Sequence, residues 1–325
     1  MKTYSSNSSN KYYIASDTSM NKPSFLIVFV SLMFLMSSLS FPLHNFVSLA
    51  EGQQQQSQPS IATSSKNVTD LLKSNGKNSS LPLENKTVNY HENASGYLVY
   101  PTMSSSSSSI ENNLSSENNN TTFPAVVIIH ENKGLNDNIK SMANLLAKEG
   151  YVILAVDLFN GEVTTDQKRA SELTQAIRDN PDIAISNLKS AVTYISYLPN
   201  VNPDKIASLG WCFGGQQSLQ LALNSEEHPL SGTVIYYGRL VTEPETLSKI
   251  HWPILGIFGD QDKSIPVESV KKFEEALDAN GITNEIYIYK GVGHAFANPS
   301  GDNYAPKETQ DAWEKTVSFL KKYLG

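Results

Sequence analysis

Residues 206–223 read IASLGWCFGGQQSLQLAL: Ile206 to Leu209 is a short apolar run, Gly210-Trp211-Cys212-Phe213-Gly214-Gly215 follows, and Gln216 to Leu223 suits a helix. The segment reads as a strand, a sharp turn and a helix, with one thiol at the bend. Glycines two residues before and two after Cys212 let neighbouring backbone pass close without a Cβ in the way. The turn presents the sulfur at the C-terminal edge of a sheet. It also sets the sulfur at a helix N-terminus, where partial positive charge favours thiolate. The backbone N–H of Phe213 is then free to face a developing oxyanion. A cysteine beside an apolar strand is otherwise usually an inert core residue. The paired glycines and the strand-turn-helix context argue against that reading here.

On either side, strands and helices alternate. Ala125 to Ile129 and Tyr151 to Val156 are wholly apolar runs, as expected of strands buried on both faces. Between them Ile139, Met142, Ala143 and Leu146 recur at helical spacing, and Gly150 ends that helix. Gln167 to Leu198 is rich in helix formers. Ile206 to Leu209, Thr233 to Tyr237, Ile254 to Phe258 and Glu285 to Tyr289 read as further strands. Trp313, Val317 and Leu320 lie on one face of a last helix. This alternation predicts an α/β fold with a mainly parallel sheet and helices on both faces. Val88 to Pro101 alternates and turns like a hairpin, giving two strands ahead of the others.

A thiol nucleophile needs a base and an acid to orient it. In folds built on such an elbow they follow downstream, acid before histidine. The strand Ile254 to Phe258 leads into Gly259-Asp260-Gln261-Asp262, and Glu285 to Tyr289 leads into Gly291-Val292-Gly293-His294. His294 is assigned as the base and Asp262 as the acid, with Asp260 as the alternative acid. The competing reading for both aspartates is turn formation and helix capping. Of the other histidines, His44 precedes the domain, His91 is in the hairpin, His228 is in a polar loop, and His251 is at the wrong end of its strand. His130 ends the Ala125 strand on the active edge, beside Glu131-Asn132-Lys133-Gly134. Backbone N–H groups there can complete an oxyanion hole, with Asn132 the leading donor.

Among the 325 residues there are 25 Lys and Arg against 32 Asp and Glu, a net charge of −7. That balance argues against a general nucleic-acid binder. A single cysteine rules out an intramolecular disulfide and a zinc site of several thiolates. No metal or cofactor is called for by the motifs.

The first 122 residues are different in kind. Residues 25–39, FLIVFVSLMFLMSSL, form an apolar run preceded by Lys2, Lys11 and Lys22, with Ser48-Leu49-Ala50 beyond. That is the layout of a signal peptide cut after Ala50, or of a retained membrane anchor spanning residues 25–49. It places the protein outside the cytoplasm. Residues 51–83 read as a disordered Ser/Asn/Gln-rich tether, and 103–122 as a disordered insertion in a domain covering 84–325. Beyond Ala50, in the part expected to be exported, sequons for N-glycosylation start at Asn67, Asn78, Asn85, Asn93, Asn113, Asn119 and Asn120.

HENKGLN, GYVILAVDLF, GWCFGG, VIYYG, GDQDKSIP and GVGHAF occur in that order between Val88 and Leu324. Together they resemble the dienelactone hydrolase family of α/β hydrolases, whose members include carboxymethylenebutenolidases. The resemblance implies an α/β-hydrolase fold and a Cys–His–Asp triad, which falls on Cys212, His294 and Asp262. It also implies a carboxylate that gates thiol ionisation, at Glu131, and a pocket lined or supported by Trp211, Tyr236 and Tyr237. The implied activity is hydrolysis of a small-molecule ester or lactone through an acyl-thioester. Two arginines that hold the substrate carboxylate in type members have no counterpart. One position is Asn298, and the other falls near Phe159-Asn160-Gly161. Arg239 is a candidate replacement. The rival reading is a non-catalytic binding or surface protein on a hydrolase scaffold.

Overall fold

The computed structural model describes residues 82–102 and 122–325. The expected signal or anchor segment, nearly all of the tether, the insertion at 103–121 and five of the sequons lie outside those residues. Asn85 and Asn93 lie within them, and both are exposed.

Strands β1 (Leu83–His91) and β2 (Ala94–Pro101) form the expected hairpin. β1 begins at Leu83, ahead of the expected Val88. The added residues, Glu84 to Thr87, are polar and exposed on the sheet's outer edge, so they carry no hydrophobic period. Beyond the hairpin come β3 (Phe123–Ile129), α1 (Asp137–Lys148), β4 (Val152–Val156), α2 (Gln167–Asp179), α3 (Pro181–Ser196) and β5 (Val201–Trp211). Then follow α4 (Phe213–Leu223), β6 (Gly232–Tyr236), the single turn α5 (Pro244–Leu247), β7 (Ile254–Gly259), α6 (Val267–Ala279), β8 (Asn284–Tyr289) and α7 (Pro306–Leu324).

The strands make one eight-stranded sheet in the order β1-β2-β4-β3-β5-β6-β7-β8. β1, β2 and β4 pair antiparallel, and every pair from β4 to β8 is parallel. Alternate side chains of each strand feed opposite layers. Val127, Ile129, Leu154 and Val156 pack with α3, α4 and α6, while Val126, Ile128, Ile153 and Leu209 pack with α1 and α7. Burying one such aliphatic side chain contributes about 1.5–3 kcal/mol, so both faces hold the sheet. Local signals start the helices as well. Asn136 caps α1 by accepting from Ile139 N, and Asp166 caps α2 by accepting from Arg169 N at 2.7 Å.

This topology sets the position of the site. β3, β5, β6, β7 and β8 all end on the same edge, and β5 lies in the middle of the sheet. The loops that carry residues 130–134, 212, 262 and 294 therefore converge over the end of β5. Ligands in open α/β sheets bind at this carboxyl edge. Among the described residues, no helix is long and apolar enough to cross a membrane.

Candidate active site

Cys212 joins β5 to α4 with φ 55° and ψ −115°, a backbone conformation that side chains rarely adopt. The turn is held on three sides. Cys212 N donates to Tyr236 O on β6 (3.0 Å), and Gln216 N donates to Cys212 O (3.1 Å). A Cβ on Gly210 would run into the Gly214 carbonyl, and one on Gly214 into that of Ile129. Those glycines permit the close approach of β3, β5 and α4 that forces the sulfur outward.

Cys212 Sγ lies 3.1 Å from His294 Nε2, and His294 Nδ1 lies 2.8 Å from Asp262 Oδ2. The second carboxylate oxygen of Asp262 accepts from the backbone N–H groups of Ser264 (2.7 Å) and Ile265 (3.1 Å), which fixes its plane. Asp260, the alternative acid, is engaged elsewhere: its Oδ1 accepts from Gly291 N at 2.6 Å and ties the two loops together. Asn303 Nδ2 donates to the His294 carbonyl at 2.9 Å. Burial alone would lower the pKa of His294. The hydrogen bond to Asp262 and the neighbouring Cys212 sulfur together outweigh burial and push it up to about 10. A proton taken from the sulfur therefore finds a favourable resting place on this imidazole.

The β3 end supplies the opposite wall. Glu131 is only 5% exposed and accepts a hydrogen bond from Asn298 Nδ2. Burial raises its pKa to about 7, against the opposing pull of the His294 and Lys133 charges and the Asn298 hydrogen bond. Tyr237 Oη is buried beside this carboxylate without closing a well-formed hydrogen bond to it. The Tyr237 ring meets the His294 ring edge-on, with centroids 5.2 Å apart. In this arrangement the partner of the sulfur is His294, and the partner of Glu131 is Asn298.

Asn132 and Phe213 line a cleft of about 750 Å3 together with Cys212. Phe213 is the first residue of α4, so its N–H has no partner within the helix. Neither its N–H nor that of Asn132 donates to a turn or loop acceptor among the described residues. Both are available to an incoming oxygen.

Trp211 and Tyr236, expected to line or support the pocket, and His130, noted at the active edge, are all interior. Trp211 and Tyr236 do not line the cleft. They are adjacent across β5 and β6, their rings are 5.5 Å apart, and both are buried in the layer under α1 and α7. The Tyr236 hydroxyl is committed to α7, at 2.6 Å from Thr316 Oγ1 and 3.0 Å from Ala312 O. The two residues support the floor beneath the elbow. His130, flagged for its place on the active edge, is wholly buried. Its Nδ1 lies 2.6 Å from Glu131 O, and its Nε2 accepts from Leu158 N at 3.1 Å. Burial lowers its pKa, so it is a neutral brace between the ends of β3 and β4.

The sequence profile of the dienelactone hydrolase family matches residues 112–324. The chain belongs to the dienelactone hydrolase family. Dienelactone hydrolase relatives include a protein of Saccharolobus solfataricus provisionally named carboxymethylenebutenolidase, 31% identical over 238 residues that cover 61% of this chain and 89% of the relative. A Bradyrhizobium protein provisionally named 2-oxo-3-(5-oxofuran-2-ylidene)propanoate lactonase is 30% identical over 210 residues, covering 62% of this chain and 84% of its own length. Among solved structures, a dienelactone hydrolase-like promiscuous phosphotriesterase from metagenomic libraries superposes with a TM-score of 0.64 at 22% identity, over 75% of this chain and 99% of that one. That likeness speaks for the α/β-hydrolase fold. As a member of the dienelactone hydrolase family, the chain is a hydrolase.

Sequence reasoning missed two residues of this dienelactone hydrolase site. Asn298 was noted only as a departure from arginine, and its bond to Glu131 had no signal in the sequence. Arg178 sits in the cleft from α2, where it looked like any charge in the last turn of a helix.

Proposed function

We propose that this hydrolase cleaves a small ester or lactone by transferring the acyl group to Cys212. The cysteine proton passes to His294 Nε2 as sulfur attacks the carbonyl carbon. The N–H groups of Phe213 and Asn132 hold the tetrahedral oxyanion. Collapse expels the alkoxide, which takes the proton from His294, and leaves a thioester on Cys212. His294, oriented by Asp262, then accepts a proton from water as that water attacks the thioester. The acid product departs and the thiol is restored. Thiolates acylate readily, so activated esters and lactones suit this site better than amides.

The observation that carries this reading is the chain of contacts from sulfur to imidazole (3.1 Å) to carboxylate (2.8 Å) on a strained elbow. The test uses the full chain on a panel of aryl esters and lactones. Cys212→Ala and His294→Gln should each lose at least about a thousandfold in kcat/KM with unchanged circular dichroism. Intact-mass spectra of wild type should show an acyl adduct on Cys212. Equal turnover by wild type and Cys212→Ala would overturn the assignment.

Export is part of the proposal, on the layout of residues 25–50. Intact mass of the native protein decides it: a chain beginning at Glu51 supports cleavage after Ala50, and a full-length chain in the soluble cytosolic fraction refutes export.

A further inference from the structure

Asp262 and His294 sit on two different loops. Residues 260–266 leave β7 and carry Asp262, and residues 290–305 leave β8 and carry His294. β7 and β8 pair in parallel as far as Gly259 and Tyr289, and β8 has no strand on its other side. Beyond that pair, the spacing of the loops depends on what joins them directly. Two backbone bonds do so, from Asp260 N to Tyr289 O (2.9 Å) and from Gln261 N to Val292 O (3.0 Å). A side chain adds a further link: Asp260 Oδ1 accepts from Gly291 N at 2.6 Å. Among the described residues, no other side chain bonds across the two loops except the Asp262–His294 pair itself. Asn303 also holds His294, but from within the same loop, so it cannot set the distance to Asp262.

No competing task accounts for the Asp260 carboxylate. The N-cap of α6 is Pro266, so Asp260 does not cap that helix. Among the described residues it pairs with no cation. Its neighbour Gln261 donates from Nε2 to the same Oδ1 at 3.2 Å, a longer contact within one loop. Gly291 takes φ 78°, the left-handed region that glycine tolerates, and in that turn its N–H meets the carboxylate. A Cβ on Gly259 would run into the Val292 carbonyl, so the two loops start in close approach. The bond thus joins the residue two before Asp262 to the residue three before His294, at the root of both loops. Hydrogen bonds to carboxylates are about twice as strong as neutral ones.

We propose that Asp260 is a positioning residue for the hydrolytic reaction: its bond to Gly291 N fixes the spacing of the two loops and so keeps the His294 imidazole on Asp262 and facing the Cys212 sulfur. This rests on the acyl-transfer reading above. Asp260 itself takes no part in the bond changes. It acts through the 2.8 Å contact between Asp262 and His294 and the 3.1 Å contact from His294 to the sulfur. Without the Asp260 bond only the two backbone links at the root tie the loops together. A displacement of about 1 Å at a reacting group can cost about a hundredfold in rate.

The test uses the full chain and one aryl ester. Asp260→Ala removes the acceptor and should lower kcat about thirty- to hundredfold while KM stays within about twofold, because ground-state binding does not use the spacing. Asp260→Asn keeps an oxygen in the same place for Gly291 N and should retain kcat within about threefold. Asp260→Gln carries its oxygen one carbon farther out and should lose turnover as Asp260→Ala does. The Asn and Gln variants decide the matter if Asp260→Ala does not fold. In an Asp262→Asn background, Asp260→Ala should cost little more, since both changes break the same contact. NMR titration of the His294 ring should show its pKa falling from about 10 in Asp260→Ala and holding in Asp260→Asn. Wild-type kcat or an unmoved His294 titration in Asp260→Ala would overturn the proposal. So would equal losses in the Asn and Gln variants, or a fully additive loss on top of Asp262→Asn. The acyl-transfer reading fails differently: Cys212→Ala would then turn over the ester as well as wild type, and the ring titration, which needs no turnover, still judges the brace.

Discussion

Replacing Glu131 by Gln should stabilise the protein at alkaline pH and leave it unchanged in acid. The carboxyl is 5% exposed, and burial holds its folded pKa at about 7 against an ordinary 4.5. The fold thus favours the protonated form. Below pH 4.5 the group is neutral in folded and unfolded chains, and it costs nothing. Between 4.5 and 7 the unfolded chain ionises first and gains the advantage. Above 7 the penalty is complete. At 1.36 kcal/mol per pH unit it amounts to about 3 kcal/mol. Gln is neutral at every pH and fits the same contacts. Asn298 Nδ2 still donates to its oxygen, and its NH2 can donate to the partnerless Tyr237 Oη. For a domain of this size, about 2–4 °C per kcal/mol translates to a gain of about 6–12 °C in Tm at pH 8. Thermal unfolding of both proteins by circular dichroism from pH 4 to 9 measures it. A Tm difference that stays constant across the range, or a loss at pH 8, would refute the reasoning.

Asp262→Asn removes the hydrogen bond that does most to counter burial at His294, so the histidine pKa should fall from about 10 and kcat/KM should drop by about three orders of magnitude; NMR titration of the ring and steady-state rates report both. The folded pKa of His294 is raised above 6.5. Its contribution to stability is therefore full below pH 6.5 and fades as pH climbs to about 10, and Asp262→Asn should flatten that decline in a Tm series. Cys212→Gly relieves a backbone held at φ 55° and should raise stability by about 1 kcal/mol in urea unfolding while abolishing turnover; a loss of that size would argue against strain at the elbow.

Much of the fold was legible because apolar runs such as Ala125 to Ile129 report burial on both faces directly. The expected strands fall within a few residues of those observed, except where polar residues ride along. Glu84 to Thr87 on the edge strand and Asn202 to Lys205 at the start of β5 carry no hydrophobic signal, and backbone pairing alone makes them strands. The placement of Cys212, Asp262 and His294 was legible for a local reason: each follows a strand on the same edge, within a short glycine-containing loop. Orientation was not. Tyr236 and Tyr237 looked equivalent as neighbours, yet Tyr236 points to α7, while Tyr237, at φ 38°, turns its ring towards His294. The place of Arg178 in the cleft with Cys212 depends on where α2 lies in the fold, a tertiary relation that no local pattern encodes.

β8 lies at an edge of the sheet, and all six of its residues are only partly buried, whereas β5 is central and its last six residues are buried. Cys212 thus hangs from one of the best protected strands and His294 from one of the least. Fraying of an outer strand costs far less than opening the interior. Mild stress should therefore separate His294 from Cys212 before the interior opens. On the acyl-transfer reading, loss of turnover should then precede loss of the fold.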